Sequence, residues 1–174
     1  MAKIIKDGGI VDDIWTLLDS DSEPVFDPQS EHPSILPLSL WLQQPRQLRA
    51  SDRCPGLWIE AEQDLAAISA DIGRVPVIAI RFSSFADGTA FSTGATLREV
   101  LGFEGELRAF GGLIADQVPL LRRCGFNVFA LAEEKDLELA LQLLINSQLS
   151  YQGSIYSPRT PFKFRYLNGD KQHA

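Results

Sequence analysis

Short apolar segments alternate with amphipathic ones through the middle of the chain. Strands are predicted at GLWIE, VPVIAIRF, ELRAF and NVFAL, which begin at residues 56, 75, 106 and 127. Each is followed by a segment in which apolar residues recur at helical spacing, and the predicted helices cover residues 61–72, 90–101, 112–124 and 133–146. Strands that alternate with helices in this way pair in parallel through right-handed crossovers. The pattern therefore predicts an α/β fold with four βα units and a parallel sheet.

The two faces of the predicted sheet differ, because neighbouring side chains on a strand point to opposite sides. One face is apolar and carries Leu57, Ile59, Ile78, Ile80, Phe82, Leu107 and Ala109. The other face is mixed and carries Trp58, Glu60, Val77, Ala79, Arg81, Ser83, Glu106, Arg108 and Phe110. A doubly wound sheet needs two apolar faces, since helices cover both. This pattern instead favours half of a (β/α)8 barrel with helices on one face. Its polar concave face then needs cover from the tails or from a second subunit, so we expect a homodimer.

Three parts of the chain are expected to differ in how regular their structure is. Residues 51–150 form the predicted (βα)4 core domain, and residues 1–50 an irregular segment with a short docking helix within 34–44. Residues 151–174 are expected to form a C-terminal arm. Within the core, Pro119 should shorten or kink the third helix, and Gly125 should end it in the left-handed conformation.

Composition narrows the function classes. A net charge of −7 disfavours binding to nucleic acid or to an anionic membrane, whose phosphates attract basic surfaces. The longest uncharged apolar run, VPVIAI, falls far short of the ~20 residues of a spanning helix. The chain does not open with the pattern of an export signal, so a cytoplasmic location with reduced thiols is expected.

No metal or cofactor can be assigned from the sequence. Cys54 and Cys124 lie far apart without metal-ligand spacing, and two cysteines cannot supply the four thiolates of an iron-sulfur cluster. The glycines at 111 and 112 lack the three-glycine dinucleotide fingerprint. We therefore predict no metal site and leave the cofactor unknown.

Candidate chemistry collects at the C-terminal ends of the predicted strands, where parallel α/β folds bind ligands. Glu60, Arg81 and Arg108 lie at or near three of these ends. The two arginines could clamp an anion. Gly111 and Gly112 open the next predicted helix, whose free N–H groups also favour negative charge.

The same residues could instead have purely structural roles. Glu60 and Glu106 could pair with the two arginines in salt bridges, while the glycines only permit tight turns. Asp87, which precedes a predicted helix, is the candidate acid or base, although a helix-capping role is the alternative. Asp116 is either a ligand-binding or a helix-surface acid.

Several separated blocks of the sequence also follow a family pattern. They are Phe82 to Gly88, Phe91, Ser92, Leu97 to Glu99, Gly105 to Ala109, Gly111, Asp116, Gln117, Leu121, Arg123 to Phe126, Phe129, Tyr151 and Gln152. In these residues the chain resembles a bacterial family of unknown function, whose members carry the working description of oxidoreductases of sulfite reduction. The resemblance runs from about residue 36 to Arg165. The family usually has arginine where this chain has Thr89 and aspartate where it has Gly112.

The resemblance implies a link to assimilatory sulfite reduction. We expect an accessory protein that binds an anionic small molecule, or a partner protein of the sulfite reductase system, at the C-terminal edge of the sheet. The matched residues Asp116, Gln117, Tyr151 and Gln152 are further candidates for ligand binding. The alternative is a small half-barrel enzyme in which Asp87 is the acid or base and the arginines hold an oxyanion substrate.

Overall fold

The computed structural model describes residues 2–19, 32–84 and 88–147. These residues form eight strands: β1 (Lys3–Lys6), β2 (Gly9–Asp12), β3 (Thr16–Leu17), β4 (Ser34–Pro37), β5 (Gly56–Glu60), β6 (Val77–Phe82), β7 (Glu106–Gly111) and β8 (Val128–Ala130). They also form five α-helices: α1 (Leu38–Gln43), α2 (Arg46–Arg49), α3 (Thr89–Glu99), α4 (Val118–Arg123) and α5 (Lys135–Asn146). Short 3₁₀ helices lie at Leu65–Ala67, Ile72–Arg74 and Ala115–Gln117.

All of these strands belong to one curled sheet, in the order β2-β1-β8-β7-β6-β5-β4-β3. The strands from β3 to β8 are parallel, whereas β1 is antiparallel to both β2 and β8. The α/β half-barrel fold predicted from the strand pattern is confirmed.

The main core lies between the apolar face of the sheet and the helices. Leu97 of α3, Leu121 of α4 and Leu137 of α5 are buried in it. The sheet contributes all seven residues assigned to the apolar face from alternation: Leu57, Ile59, Ile78, Ile80, Phe82, Leu107 and Ala109. Alternation along the strands thus identified the face that the helices cover.

The concave face is crossed by the N-terminal part of the chain. The hairpin of β1 and β2 lies at one edge of the sheet and β3 lies at the other, so residues 13–18 pass over the strands between them. We call residues 13–18 the strap. Trp15 packs with Phe110 against a small buried cluster that includes Trp58, and the Nε1 of Trp58 donates to the carbonyl oxygen of Leu18 at 2.8 Å. A tail therefore covers part of this face, as expected, while the homodimer stays a prediction.

The first fifty residues were expected to be irregular. Their described part instead contains the four strands β1 to β4. Asp7 and Gly8 form the two-residue turn of the β1–β2 hairpin, with φ of +50° and +87°. An Asp-Gly pair suits this turn because both positions need positive φ. Ile35 and Leu36 of β4 are fully buried. The predicted docking helix is present as α1, whose Trp41 is fully buried.

The predicted helix at 61–72 is also corrected, because this segment forms only the first 3₁₀ helix and the start of the second. Gln63 and Asp64 explain the change. The Oε1 of Gln63 accepts from the backbone N–H of Glu60, and the Oδ1 of Asp64 accepts from the N–H of Ala66. Such local side-chain bonds compete with α-helical ones. The segment therefore turns instead of winding into an α-helix.

Gly125 ends the third helix as predicted, and this helix is shorter than residues 112–124, although Pro119 lies in its first turn and not in its interior. Helix α4 begins at Val118, with Pro119 in its first turn, where a missing N–H costs nothing. Gly125 follows the helix with φ of +98°. The three-part division of the chain stays a prediction, and the C-terminal arm at 151–174 lies outside the described residues. No helix among the described residues is long and apolar enough to cross a membrane.

Candidate functional site

The C-terminal edge of the sheet carries an exposed ion pair. Glu60 ends β5 and lies opposite Arg81 of β6 in the strand register. The Nη1 of Arg81 is 3.3 Å from the Oε1 of Glu60, and nearly half of each side chain is exposed. The guanidinium lies 5.8 Å from the ring centroid of Trp58. This edge therefore presents a paired cation beside an aromatic ring.

Arg108 lies deeper, in the middle of β7. Its side chain is 4% exposed. Its Nη2 and Nε donate to the Oε1 of Glu106 at 2.7 and 3.0 Å. Its Nη1 and Nη2 also donate to the two carboxylate oxygens of Asp13 in the strap, at 2.7 and 3.0 Å. The Nζ of Lys6 completes the network, 2.9 Å from the Oε2 of Glu106.

Electrostatics keeps the Arg108 guanidinium charged. Burial by itself would lower the pKa of Arg108, but hydrogen bonds and charges from Asp13 and Glu106 raise it above its ordinary value. Two carboxylates thus compensate one buried cation. Arg81 pairs with Glu60, whereas Arg108 pairs with Asp13 and Glu106, and the shared anion clamp stays a prediction. The salt bridges proposed as the structural alternative, Glu60 with Arg81 and Glu106 with Arg108, are confirmed.

Gly111 and Gly112 form a tight turn after β7. Gly111 has φ of +96°, and a Cβ there would lie 2.6 Å from the carbonyl oxygen of Phe82. The N–H of Gly112 donates to that same oxygen at 2.8 Å. The next helical turn starts only at Ala115, so neither glycine opens a helix. The tight-turn explanation of these glycines is confirmed.

The remaining candidates are placed as follows. Asp116 is exposed, and the Oε1 of Gln117 accepts from the backbone N–H of Ile114 at 3.0 Å, which closes the 3₁₀ turn. Ile114 is 45% exposed. Asp87, Tyr151 and Gln152 lie outside the described residues. Ligand binding by any of these residues stays a prediction.

Two shallow depressions lie at the opposite, N-terminal edge of the sheet. One, of about 240 Å³, is lined by Ala50, Ser51, Asp52, Cys54, Arg74 and Pro76. Burial and the charge of Asp71 raise the pKa of the Cys54 thiol to about 11, so this cysteine is protonated at neutral pH and a poor nucleophile. The other depression, of about 270 Å³, is lined by Arg98, Phe103, Glu104 and Asn127. Arg98 donates there to the carbonyl oxygens of Phe103 and Gly125 and to Asn127, and so ties the α3–β7 loop to the α4–β8 loop.

Metal chemistry gains no support from the part of the chain that is described. Its His, Cys, Asp and Glu side chains form no group of three or more that could hold a metal ion. Asp13 and Lys6, which complete the Arg108 network, were missed by sequence reasoning. They are 95 and 100 residues away from the strand residues that they contact, so no local pattern identifies them.

Residues 56–162 match the family described as bacterial protein of unknown function (DUF934). The chain belongs to this family. The match spans more than half of the sequence and includes β5 to β8 and α3 to α5. No curated protein matches the chain. The expected family of unknown function is therefore confirmed, while the link to sulfite reduction stays a prediction.

Proposed function

We propose that this protein is an accessory protein of assimilatory sulfite reduction that binds a partner protein through the C-terminal edge of its sheet. The pathway rests on the sequence resemblance. At this edge, the choice of a partner protein over a small anion rests on one observation, the pairing of both arginines with carboxylates of the chain itself. Arg108 is buried against two carboxylates, and Arg81 is already paired with Glu60.

The chemistry of the edge supports a protein surface as the ligand. Phe110 is half-buried and lies opposite Arg81 in the strand register, where Glu60 and Arg81 add paired charges. Ile114, in the segment that follows β7, exposes an apolar side chain. Interfaces between proteins combine apolar anchors with a polar rim in this way. A small anion held by one arginine would first have to displace Glu60.

The proposal is tested by binding of purified sulfite reductase to the full chain, measured by calorimetry. Ile114→Asp should weaken the affinity at least about tenfold, because a charge then replaces an apolar contact. Ile145→Asp is the matched control, since Ile145 is 53% exposed on helix α5. Arg81→Glu should also weaken binding, whereas Arg74→Glu, on an exposed side chain at the opposite edge, should not.

Either of two results would contradict this function. One is that the reductase does not bind the wild-type chain, and the other is that the edge and control variants lose affinity equally. The enzyme alternative predicts something different: sulfite, a flavin or a nicotinamide cofactor would raise the melting temperature of the chain, and Arg81→Ala would abolish the shift.

A further inference from the structure

The contact between Asp13 and Arg108 has the geometry of a bound ligand. Two N–H groups of one guanidinium donate to the two oxygens of one carboxylate, at 2.7 and 3.0 Å. Arginine uses this parallel pair of hydrogen bonds to bind small carboxylates and oxyanions. The carboxylate here comes from the strap, a separate segment of the same chain that lies on the concave face.

The strap is held by few interactions. None of its six residues is buried, and Ile14 and Leu17 expose 57% and 43% of their surface. Trp15 packs on the small cluster of the concave face, and within the strap it is Leu18, only partly buried, that packs against the main core. Segments with few buried apolar contacts open at a lower free energy than the whole fold. The strap, which includes the short edge strand β3, can therefore lift while β4 to β8 and the helices stay folded.

The charges left behind by an open strap favour an anion. Lys6, Glu106 and Arg108 would remain on the face, so that two cations face one carboxylate. With Asp13 in place, the two cations are balanced by two carboxylates, those of Asp13 and Glu106. Glu106 keeps its own hydrogen bonds to Arg108 in both states, and it therefore holds the guanidinium in position for a replacement ligand.

We propose that the Arg108 guanidinium is a latent binding site for a small carboxylate or oxyanion, and that Asp13 of the strap is its internal, displaceable occupant. Ligand binding and strap closure then exclude one another. This site on the concave face is separate from the Glu60–Arg81 edge, and its tests do not use the partner protein. It can therefore fail while the proposed function stands, and the reverse also holds.

The first test removes the internal carboxylate from the full chain. In Asp13→Ala, sodium formate should raise the melting temperature saturably at constant ionic strength, because it replaces the lost carboxylate and binds the folded state. Asp12→Ala is the matched control, since it removes the same charge from the exposed neighbouring residue. The apparent dissociation constant for formate should be at least about tenfold higher in the wild type, where the site is competent only with the strap open.

A second variant links the effect to the guanidinium. Adding Arg108→Lys to Asp13→Ala keeps the positive charge but removes the planar pair of N–H donors, so the formate response should be lost. Sulfate in place of formate identifies the ligand shape: a lower dissociation constant for sulfate indicates a tetrahedral oxyanion, and a lower one for formate indicates a carboxylate. Equal formate responses in Asp13→Ala and Asp12→Ala would overturn the proposal.

Hydrogen exchange tests the wild-type chain directly. The backbone N–H groups of Trp15, Thr16 and Leu18 are bonded to Asp13, Pro33 and Ile35 when the strap is closed. Saturating formate should speed their exchange and leave that of β7 unchanged. If the strap amides exchange equally fast with and without formate, Asp13 is a permanent structural partner and the site is not latent.

Discussion

Two arginines on neighbouring strands, Arg81 and Arg108, differ in how far water reaches them. Arg81 is about half exposed and its partner Glu60 is similarly open. Exposed pairs of this kind contribute little, because water screens the charges and long side chains lose freedom. Arg108 and its partner Glu106 are almost completely buried. Removing one member of a buried pair leaves the other charge without compensation.

Arg108→Ala is therefore expected to lower the free energy of unfolding by about 3–5 kcal/mol. Arg81→Ala should lower it by no more than about 1 kcal/mol. Urea denaturation followed by circular dichroism measures both losses, with the wild type as the reference. Comparable losses in the two variants would show that burial of the Arg108 network contributes nothing beyond an ordinary surface pair.

At the scale of elements, the strands that alternate clearly were predictable and those of the N-terminal segment were missed. Strands β5 to β7 alternate apolar and mixed positions, which identified both faces of the sheet. Strands β1 to β4 have two to four residues each, too few for a periodic pattern. The Asp7–Gly8 pair was nevertheless a readable hairpin signal, because it suits a two-residue turn.

The candidate site was less predictable, since its chemistry depends on distant residues. Sequence position alone put Glu60, Arg81 and Arg108 near one edge. Their difference in exposure depends on the strap, whose Asp13 contacts Arg108 across 95 positions of the chain. Local patterns give strand faces, but they do not give the partner of a buried charge.

Gly94 of helix α3 lets this helix pack closely against Phe126. Gly94 is buried, and a Cβ there would overlap the ring of Phe126, which is itself fully buried. Gly94→Ala gains about 1 kcal/mol of helix propensity. Overpacking costs about 1–3 kcal/mol, and the enclosed ring has no space to move away. Because the ring is enclosed, the cost should lie in the upper part of this range, about 2–3 kcal/mol, which leaves a net destabilisation of about 1–2 kcal/mol.

Gly73→Ala is the control for this prediction. A Cβ at Gly73 meets nothing within 4 Å, and the residue is exposed. This variant should be unchanged or slightly more stable, because alanine restricts the unfolded chain. The melting temperatures of Gly94→Ala and Gly73→Ala, each compared with the wild type, test this prediction. A Gly94→Ala protein as stable as the wild type would mean that α3 moves freely on the sheet.

The whole molecule is closed by the N-terminal part of the chain. Strand β1 pairs with β8, the last strand of the described residues, and its Ile5 is fully buried in the main core. The strap then crosses the concave face, and its Thr16 and Leu17 form β3 at the opposite edge of the sheet. The two edges of the sheet are thus connected by the first eighteen residues. Apart from local opening of the strap, β1 and the rest of the sheet are expected to unfold as one cooperative unit.

Ile5→Ala tests that cooperativity. The cavity left at a fully buried isoleucine should cost about 2–5 kcal/mol. Because β1 is part of the sheet, the urea midpoint should fall when it is followed by far-ultraviolet circular dichroism, which reports mainly on α3 and α5. Ile10→Ala is the control: Ile10 is the cross-strand neighbour of Ile5 but is only partly buried, so its loss should be smaller. If the N-terminal strands were an independent tail, Ile5→Ala would leave the urea midpoint of the helical signal at the wild-type value. A lowered midpoint with an unchanged slope would mean that the N-terminal strands stabilise the same unit as the helices.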